Sequence, residues 1–135
     1  MREHREFFEV DTENDWETIP GYPSGFQRMT LSSDIDESAE TGKRTRLVKV
    51  DPGTVMGKAV VHDHWEEVFI YQGDLVVGCD EHGDGGITYN APTYAVRPGG
   101  ILHGPFASTN GCLMIEMHYF DVCPSTNTSR SEKII

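Results

Sequence analysis

The residues best suited to chemistry lie in one short stretch, from Val60 to Gly73. Two histidines, His62 and His64, stand two residues apart and are followed closely by Glu66. Residues i and i+2 of a β-strand point to the same face, so a strand here would present the two imidazoles side by side. Neutral imidazole is a common ligand of transition metals. The spacing therefore predicts a metal site.

A second stretch supplies a third histidine. His103 follows a turn rich in proline and glycine that begins at Pro98. Three imidazoles suit iron, zinc, nickel or copper and leave positions on the metal for a substrate or for oxygen. The predicted ligands are thus His62, His64 and His103. Glu66 and Glu67 are candidates for a fourth ligand, and because strand residues alternate between faces, at most one of them points inward.

Other residues near these stretches are candidates for a substrate pocket. Lys58 has the same strand parity as His62, so an inward side chain there could hold an anionic substrate. His118 and Glu116 would share one face of a late strand. The pocket candidates are Lys58, Trp65, Tyr94, Phe106, Glu116 and His118, with Arg97 beside the second stretch. The apolar residues Phe69, Tyr71, Leu113, Ile115 and Met117 are expected in the core.

Composition limits the classes of function. The 135 residues include 22 acidic and 11 basic ones, giving a formal net charge of -11. Such a surface repels phosphate backbones, so nucleic-acid binding is not expected. No stretch approaches the ~18 apolar residues of a membrane span, and no signal-peptide pattern is present, which favours the cytoplasm. Cys79, Cys112 and Cys123 lack C-x-x-C spacing and are expected to be buried thiols.

The chain reads as a series of short strands separated by turns. No segment shows a convincing 3.6-residue apolar period, so helix content should be low and an all-β sandwich or barrel is expected. Predicted strands include Phe26–Leu31, Thr45–Val50, Val55–His64, Glu67–Tyr71, a hairpin partner Leu75–Cys79 after a turn at Gly73, and Cys112–Phe120. We divide the chain into an N-terminal arm (1–45) belonging to the same domain, a barrel (46–122) and a C-terminal tail (123–135).

The two stretches resemble the two motifs of the cupin superfamily over Lys43–Phe120. The first motif is matched by Gly57, His62-Asp63-His64, Glu66 and Gly73, and the second by Pro98, Gly100 and His103. The loop between His64 and Glu66 is shorter than the family pattern. The resemblance implies a cupin double-stranded β-helix, a jelly-roll barrel whose mouth holds the metal. The sequence is most similar to small bacterial cupins related to acetylacetone dioxygenase and to the zinc-binding cupin of an anti-sigma factor.

This resemblance implies three candidate functions. In the dioxygenase branch three histidines and no carboxylate hold Fe(II), and the enzyme cleaves a carbon–carbon bond of a small diketone-like or hydroxyketone substrate. The alternatives are a non-catalytic cupin that binds zinc or a ligand, as a sensor or structural module, and a Lewis-acid lyase, isomerase or cyclase. The expected cofactor is one divalent transition metal, Fe(II) first, with zinc or nickel also compatible. The expected partners are a small-molecule substrate and a second copy in a homodimer or larger homo-oligomer.

Overall fold

The fold is described from a computed structural model, which covers residues 2–121. Within that range the chain is all-β, as expected, and contains no helix. The nine strands are β1 Glu17–Thr18, β2 Phe26–Ser33, β3 Lys43–Val50, β4 Val55–Met56, β5 Trp65–Val77, β6 Ile87–Asn90, β7 Thr93–Arg97, β8 Phe106–Ala107 and β9 Cys112–Tyr119. The predicted tail (123–135) and Cys123 lie outside the described residues. Within residues 2–121, no helix is long and apolar enough to cross a membrane.

The strands form one curled antiparallel sheet in the order β1-β2-β3-β9-β5-β8-β4, with β6 and β7 also paired to β5. The first half of β5 pairs with β7 and β9, and its second half pairs with β6 and β8. This one strand therefore joins the two parts of the sheet and closes them around a cavity. An apolar core that includes Val48, Val50 and Met114 lies on the inner face. Cys79 and Cys112 are free, buried thiols, as predicted.

The turn predicted at Gly73 is wrong, because β5 runs through it without a break. Gly73 has a φ of 84°, and a Cβ at this position would collide with the carbonyl oxygen of Gly111. Glycine is thus required where β5 bends against the loop before β9. The next residue, Asp74, is buried and fixes the same loop by accepting backbone N–H bonds from Thr109 at 2.8 Å and Asn110 at 3.0 Å. The motif glycine marks a bend in a strand.

The predicted strand Val55–His64 is also wrong over most of its length. Only Val55 and Met56 form a strand, and the residues from Gly57 to His64 are irregular apart from one bridge at Val60. This segment lies beside a turn, Pro98–Gly104, and a turn offers too few aligned backbone groups for a continuous ladder. The orientation of the histidine pair is therefore set by a loop and not by a strand.

The expectation that Phe69 and Tyr71 lie in the core is wrong. These residues are 40% and 42% exposed, whereas their neighbours Glu66, Val68 and Ile70 are buried. On β9 the buried positions are likewise Met114, Glu116 and His118, whereas Leu113, Ile115 and Met117 are only half-buried on the other face. Polar side chains occupy the interior because the cavity lies there, so alternation sends the apolar residues between them outward.

Candidate metal centre

Backbone hydrogen bonds bring the two histidine stretches together. Val60 and His103 exchange both N–H···O bonds, at 2.8 and 2.9 Å, and the N–H of Gly100 donates to the carbonyl oxygen of His62 at 2.8 Å. A Cβ on Gly99 would collide with the backbone of Asp63. The glycines of the second stretch thus permit a close approach of two loops, and this approach places His103 beside the histidine pair.

Two imidazoles and one carboxylate converge within this arrangement. Ligand atoms of His62, Glu66 and His103 all lie within 4.8 Å of one another. The Nε2 atoms of His62 and His103 lie 3.4 and 3.7 Å from the two carboxylate oxygens of Glu66. The ring of His64 stacks on that of His62, with centroids 3.9 Å apart and planes inclined by 12°. The side-by-side imidazoles expected from the sequence are therefore present, although no strand produces them.

The hydrogen bonds of these three histidines fix which ring nitrogen is free. Each Nδ1 faces a backbone carbonyl oxygen: that of His64 for His62 (3.0 Å), of Trp65 for His64 (3.1 Å) and of Ile101 for His103 (2.8 Å). A carbonyl oxygen only accepts, so Nδ1 carries the proton and Nε2 keeps a lone pair. Burial lowers the pKa of His64 to about 4, and burial also lowers the pKa of His103. Both rings are therefore neutral at neutral pH.

The donor set fits a transition metal. The Nε2 atom of His62 is buried and has no hydrogen-bond partner among the described residues, which is costly for a polar atom unless something binds it. Two neutral imidazoles and a carboxylate form a donor set that suits non-haem iron and is also compatible with zinc. Burial opposes ionisation of Glu66, but the hydrogen bond from His118 and the charge of Arg97 outweigh it and hold the pKa of Glu66 well below its usual range. The site therefore offers a carboxylate ligand.

Glu66 belongs to a row of polar side chains that crosses four strands of the inner face. Its direct partner on β9 is His118, its partner on β7 is Arg97, and the partner of His118 on β3 is Arg44. Arg97 pairs with one oxygen of Glu66, and His118 Nε2 lies 2.8 Å from the other. The next row along the sheet contains the buried ion pair Arg46–Glu116, at 2.7 Å. Strand alternation places all of these groups inside.

A second group of potential ligands consists of Glu66, Glu116 and His118. Arg44 donates to Nδ1 of His118 from Nε at 3.0 Å and approaches it with Nη2 at 2.8 Å. An arginine never accepts a hydrogen bond, so Nδ1 of His118 must hold the lone pair and Nε2 must carry the proton. That proton points at Glu66, so His118 has no free nitrogen for a metal. The remaining member, Glu116, is already paired with Arg46. His118 supports the metal site as a hydrogen-bond donor.

The six pocket candidates take different positions. Phe106, Glu116 and His118 line a cavity of about 1160 Å³, which also contains His62, His64, Glu66 and His103. Tyr94 borders this cavity, but its side chain is 53% exposed and lies on the outer face of the sheet. Lys58 is exposed and does not line this cavity, because the segment that carries it is a loop rather than a strand. Trp65 is also absent from the lining; its indole stacks parallel to Tyr119 and its Nε1 donates to Asp121 at 2.6 Å. Glu67 faces outward and accepts from the hydroxyls of Tyr94 and Tyr119.

Sequence reasoning missed the arginines of the cavity. Arg28, Arg44 and Arg46 all line it, as does the predicted rim residue Arg97. The signal was present in β3, where Arg44 and Arg46 share the parity of Val48 and Val50, both of which are apolar. Two arginines in phase with core valines indicate charged groups at the inner face of a sheet.

Comparison with known proteins agrees with this architecture. The ChrR cupin-like domain matches residues 5–120. Similar solved structures include an acetylacetone dioxygenase from Acinetobacter johnsonii (20% identity, TM-score 0.61, 87% of this chain and 76% of that one) and KdgF from a Halomonas species (20%, 0.60, 86% and 96%). A protein described as a putative acetylacetone dioxygenase from Methylibium petroleiphilum is also similar (21%, 0.58, 90% and 85%).

The curled sheet around a cavity with clustered imidazoles defines a cupin barrel, as the sequence motifs implied. More narrowly, the chain belongs to the ChrR cupin-like domain family, since that family's model covers most of its length. The solved structures, at about 20% identity, establish the fold alone. A search of curated proteins finds no match.

Proposed function

We propose that this protein is a metal-dependent cupin that acts as a non-haem Fe(II) dioxygenase on a small diketone-like or hydroxyketone substrate. The observation that carries the proposal is the set of Nε2 lone pairs held free by Nδ1–carbonyl bonds beside an ionised carboxylate. His62, His103 and Glu66 would hold the metal, and His64 is the fourth candidate ligand. Bound ferrous iron would supply the activation of dioxygen needed for carbon–carbon cleavage.

The residues around the metal have separate roles in this proposal. The carbonyl oxygens behind each Nδ1 orient the imidazoles and maintain their basicity. Arg97 and His118 hold the carboxylate of Glu66 so that it cannot rotate away from the histidines. The cavity, whose wall includes Val60, Val68 and Phe106, would exclude water from a small organic substrate.

Metal analysis followed by oxygen uptake tests the proposal. Protein purified without added metal or chelator is assayed for bound metals, then loaded with ferrous ion and mixed with acetylacetone. We expect iron and oxygen consumption, both abolished in His103→Ala and retained in His82→Ala, whose ring is at the surface. Stoichiometric binding of iron with no oxygen uptake from any diketone would contradict the dioxygenase.

A second candidate function is a zinc-binding sensor or structural module. The match of residues 5–120 to the ChrR cupin-like domain favours this second function. Tight, stoichiometric zinc together with no oxygen uptake would support this function. In that case His103→Ala would lower the melting temperature of the metal-loaded protein and change no activity.

A further inference from the structure

Two buried polar atoms of the cavity have no hydrogen-bond partner in the part of the chain that the structure describes, and they require ligands of opposite character. One is Nε2 of His62, a lone pair that a metal would satisfy. The other is Nε of Arg28, a charged N–H donor that needs an acceptor. Both residues line the same cavity. A molecule that joins a metal at one end to an anionic group at the other would satisfy both.

Within residues 2–121, no carboxylate lies at hydrogen-bond distance from Arg28. The nearest carboxylate oxygen, on the largely exposed Glu17, lies 3.9 Å from its Nε and is too distant for a hydrogen bond. Arg28 lies on β2 directly opposite Val48 of β3, so its side chain is on the inner face of the sheet with Arg46 and Arg44. An arginine held this way is suited to an acceptor that arrives from the cavity.

Arg44 is the second guanidinium of the cavity that has no carboxylate at hydrogen-bond distance within residues 2–121. Two of its nitrogens contact Nδ1 of His118, and the carboxylate of the mostly exposed Glu37 lies 3.8 Å away. Burial and the charges of Arg46 and Arg28 lower the pKa of Arg44. By contrast Arg46 and Arg97 are each paired with a buried carboxylate. Among the described arginines of the cavity, Arg28 and Arg44 are therefore the two without a hydrogen-bonded carboxylate.

The charges of the loaded cavity agree with an anionic ligand. Four arginines and four carboxylates line the cavity, so their formal charges cancel. A divalent metal would add two positive charges, and buried charge requires compensation. Arg44 contacts one nitrogen of the His118 ring and Glu66 contacts the other, at 2.8–3.0 Å. A molecule of a few carbon atoms therefore spans the distance from the metal triad to a guanidinium.

We infer that Arg28 and Arg44 form a carboxylate subsite, and that the substrate is a small diketone-like or hydroxyketone acid whose oxygens face the metal while its carboxylate faces the arginines. This inference rests on the proposed function for the position of the metal-facing end. Guanidinium binds carboxylate through a planar pair of N–H donors, which matches the chemistry required. The arginine subsite takes the anion-binding role that the sequence suggested for Lys58.

A matched pair of probes tests the subsite without turnover. The probes are 4,6-dioxoheptanoate and its methyl ester, which carry the same diketone and differ in charge. Calorimetry is done anaerobically with iron-loaded protein. We expect the acid to bind at least about tenfold more tightly than the ester, because a hydrogen bond between opposite charges contributes more than one between neutral groups. Arg28→Gln should reduce this preference, and Arg5→Gln, which removes the same charge from an exposed site, should not.

The outcomes separate the two proposals. Equal binding of acid and ester to the wild type, or a preference that survives in both Arg28→Gln and Arg44→Gln, would overturn the carboxylate subsite. Arg28→Lys provides a further check, since it keeps the charge but loses the planar pair of donors and should give an intermediate preference. Oxygen uptake is measured separately with both probes. No oxygen uptake with either probe would overturn the proposed dioxygenase activity and leave the binding result unchanged.

Discussion

At the scale of single residues, the position of one proton separates the histidines of the cavity into two kinds. Backbone carbonyls hold the proton on Nδ1 in His62, His64 and His103, whereas Arg44 forces it onto Nε2 in His118. Distance alone does not make this distinction, because His118 Nε2 lies nearer to Glu66 than the other imidazoles do. Hydrogen-bond direction decides which rings can hold a metal.

Two adjacent glutamates provide a test at this scale. Glu66→Gln should weaken ferrous or zinc binding at least about tenfold, since it removes a charged oxygen ligand and leaves Arg97 unpaired. Glu67→Gln is the matched control, because this side chain points outward to Tyr94 and Tyr119. Competition with a chromogenic chelator measures both affinities. Equal affinity in the two variants would mean that Glu66 is not a ligand.

At the scale of elements, two glycines allow segments to touch where any side chain would hold them apart. Gly73 lets β5 bend against the loop before β9, and Gly99 lets the turn before His103 lie against Asp63. The metal centre depends on the second contact, since His62 and His103 reach it from different segments.

Gly99→Ala should therefore weaken metal binding although it changes no ligand. Its Cβ would collide with the backbone of Asp63 and push the two histidine loops apart. Gly57→Ala is the control: its Cβ would meet Glu81 no closer than 3.2 Å, so a small shift accommodates it. Metal titration followed by calorimetry compares them. Wild-type affinity in Gly99→Ala would contradict the proposed dependence on this contact.

The Asp74 carboxylate is predicted to make stability depend on pH. Burial opposes its ionisation, but hydrogen bonds led by the N–H of Thr109 hold the pKa of Asp74 below its usual value. A carboxyl with a lower pKa in the folded state binds more protons when unfolded, so its stabilisation is present above about pH 4 and is lost as the pH falls further. Asp74→Asn should lower the free energy of unfolding by about 1–3 kcal/mol at pH 7.

Urea unfolding between pH 7 and pH 3 measures this effect. The difference between wild type and Asp74→Asn should shrink as the pH falls below about 4, because the wild-type carboxyl then becomes protonated. Asp15→Asn, at an exposed position, is the control and should differ little from wild type throughout. A difference that stays constant down to pH 3 would show that the Asp74 charge is not responsible.

At the scale of the whole molecule, the sheet carries a row of charged groups on its inner face, beside the apolar core, and a row of apolar groups on its outer face. The inner face carries the ionic row through His118 and Glu66, and the outer face carries an apolar row three residues further along the strands. Direct partners across β3, β9, β5 and β7 in that row are Leu47, Ile115, Phe69 and Tyr94. Phe69 and Tyr94 are 40% and 53% exposed. An apolar surface of this kind is characteristic of a contact between proteins.

The homodimer expected from the sequence stays a prediction, and this row makes it testable. If a second copy covers it, Phe69→Asp should convert a dimer to a monomer in sedimentation velocity, whereas Lys58→Asp, a substitution at another exposed position, should not. Each copy has a formal charge of -11, so added salt should strengthen the dimer by screening repulsion. A wild type that stays monomeric across concentration and salt would contradict the prediction.

The sequence by itself determined the fold class and which histidines are the candidate metal ligands. These conclusions rest on local features: the lack of a helical period, the spacing of His62 and His64, and the glycine-rich turn before His103. Local features can be recognised from the order of the residues alone, because they need no contact with a distant segment. It also limited Glu66 and Glu67 to one inward side chain. It did not determine which residues before His64 form a strand, since strand formation needs a partner that the sequence does not display.

Only the tertiary structure decided what surrounds the metal ligands. Arg44, His118, Glu66 and Arg97 are separated by up to 74 residues in the chain and become neighbours because β3, β9, β5 and β7 pair in a particular register. Register is set by packing and bends such as the one at Gly73 rather than by the residues in the row. For the same reason the exposed Lys58 and the inward Arg28 could be told apart only once their strands and loops had partners.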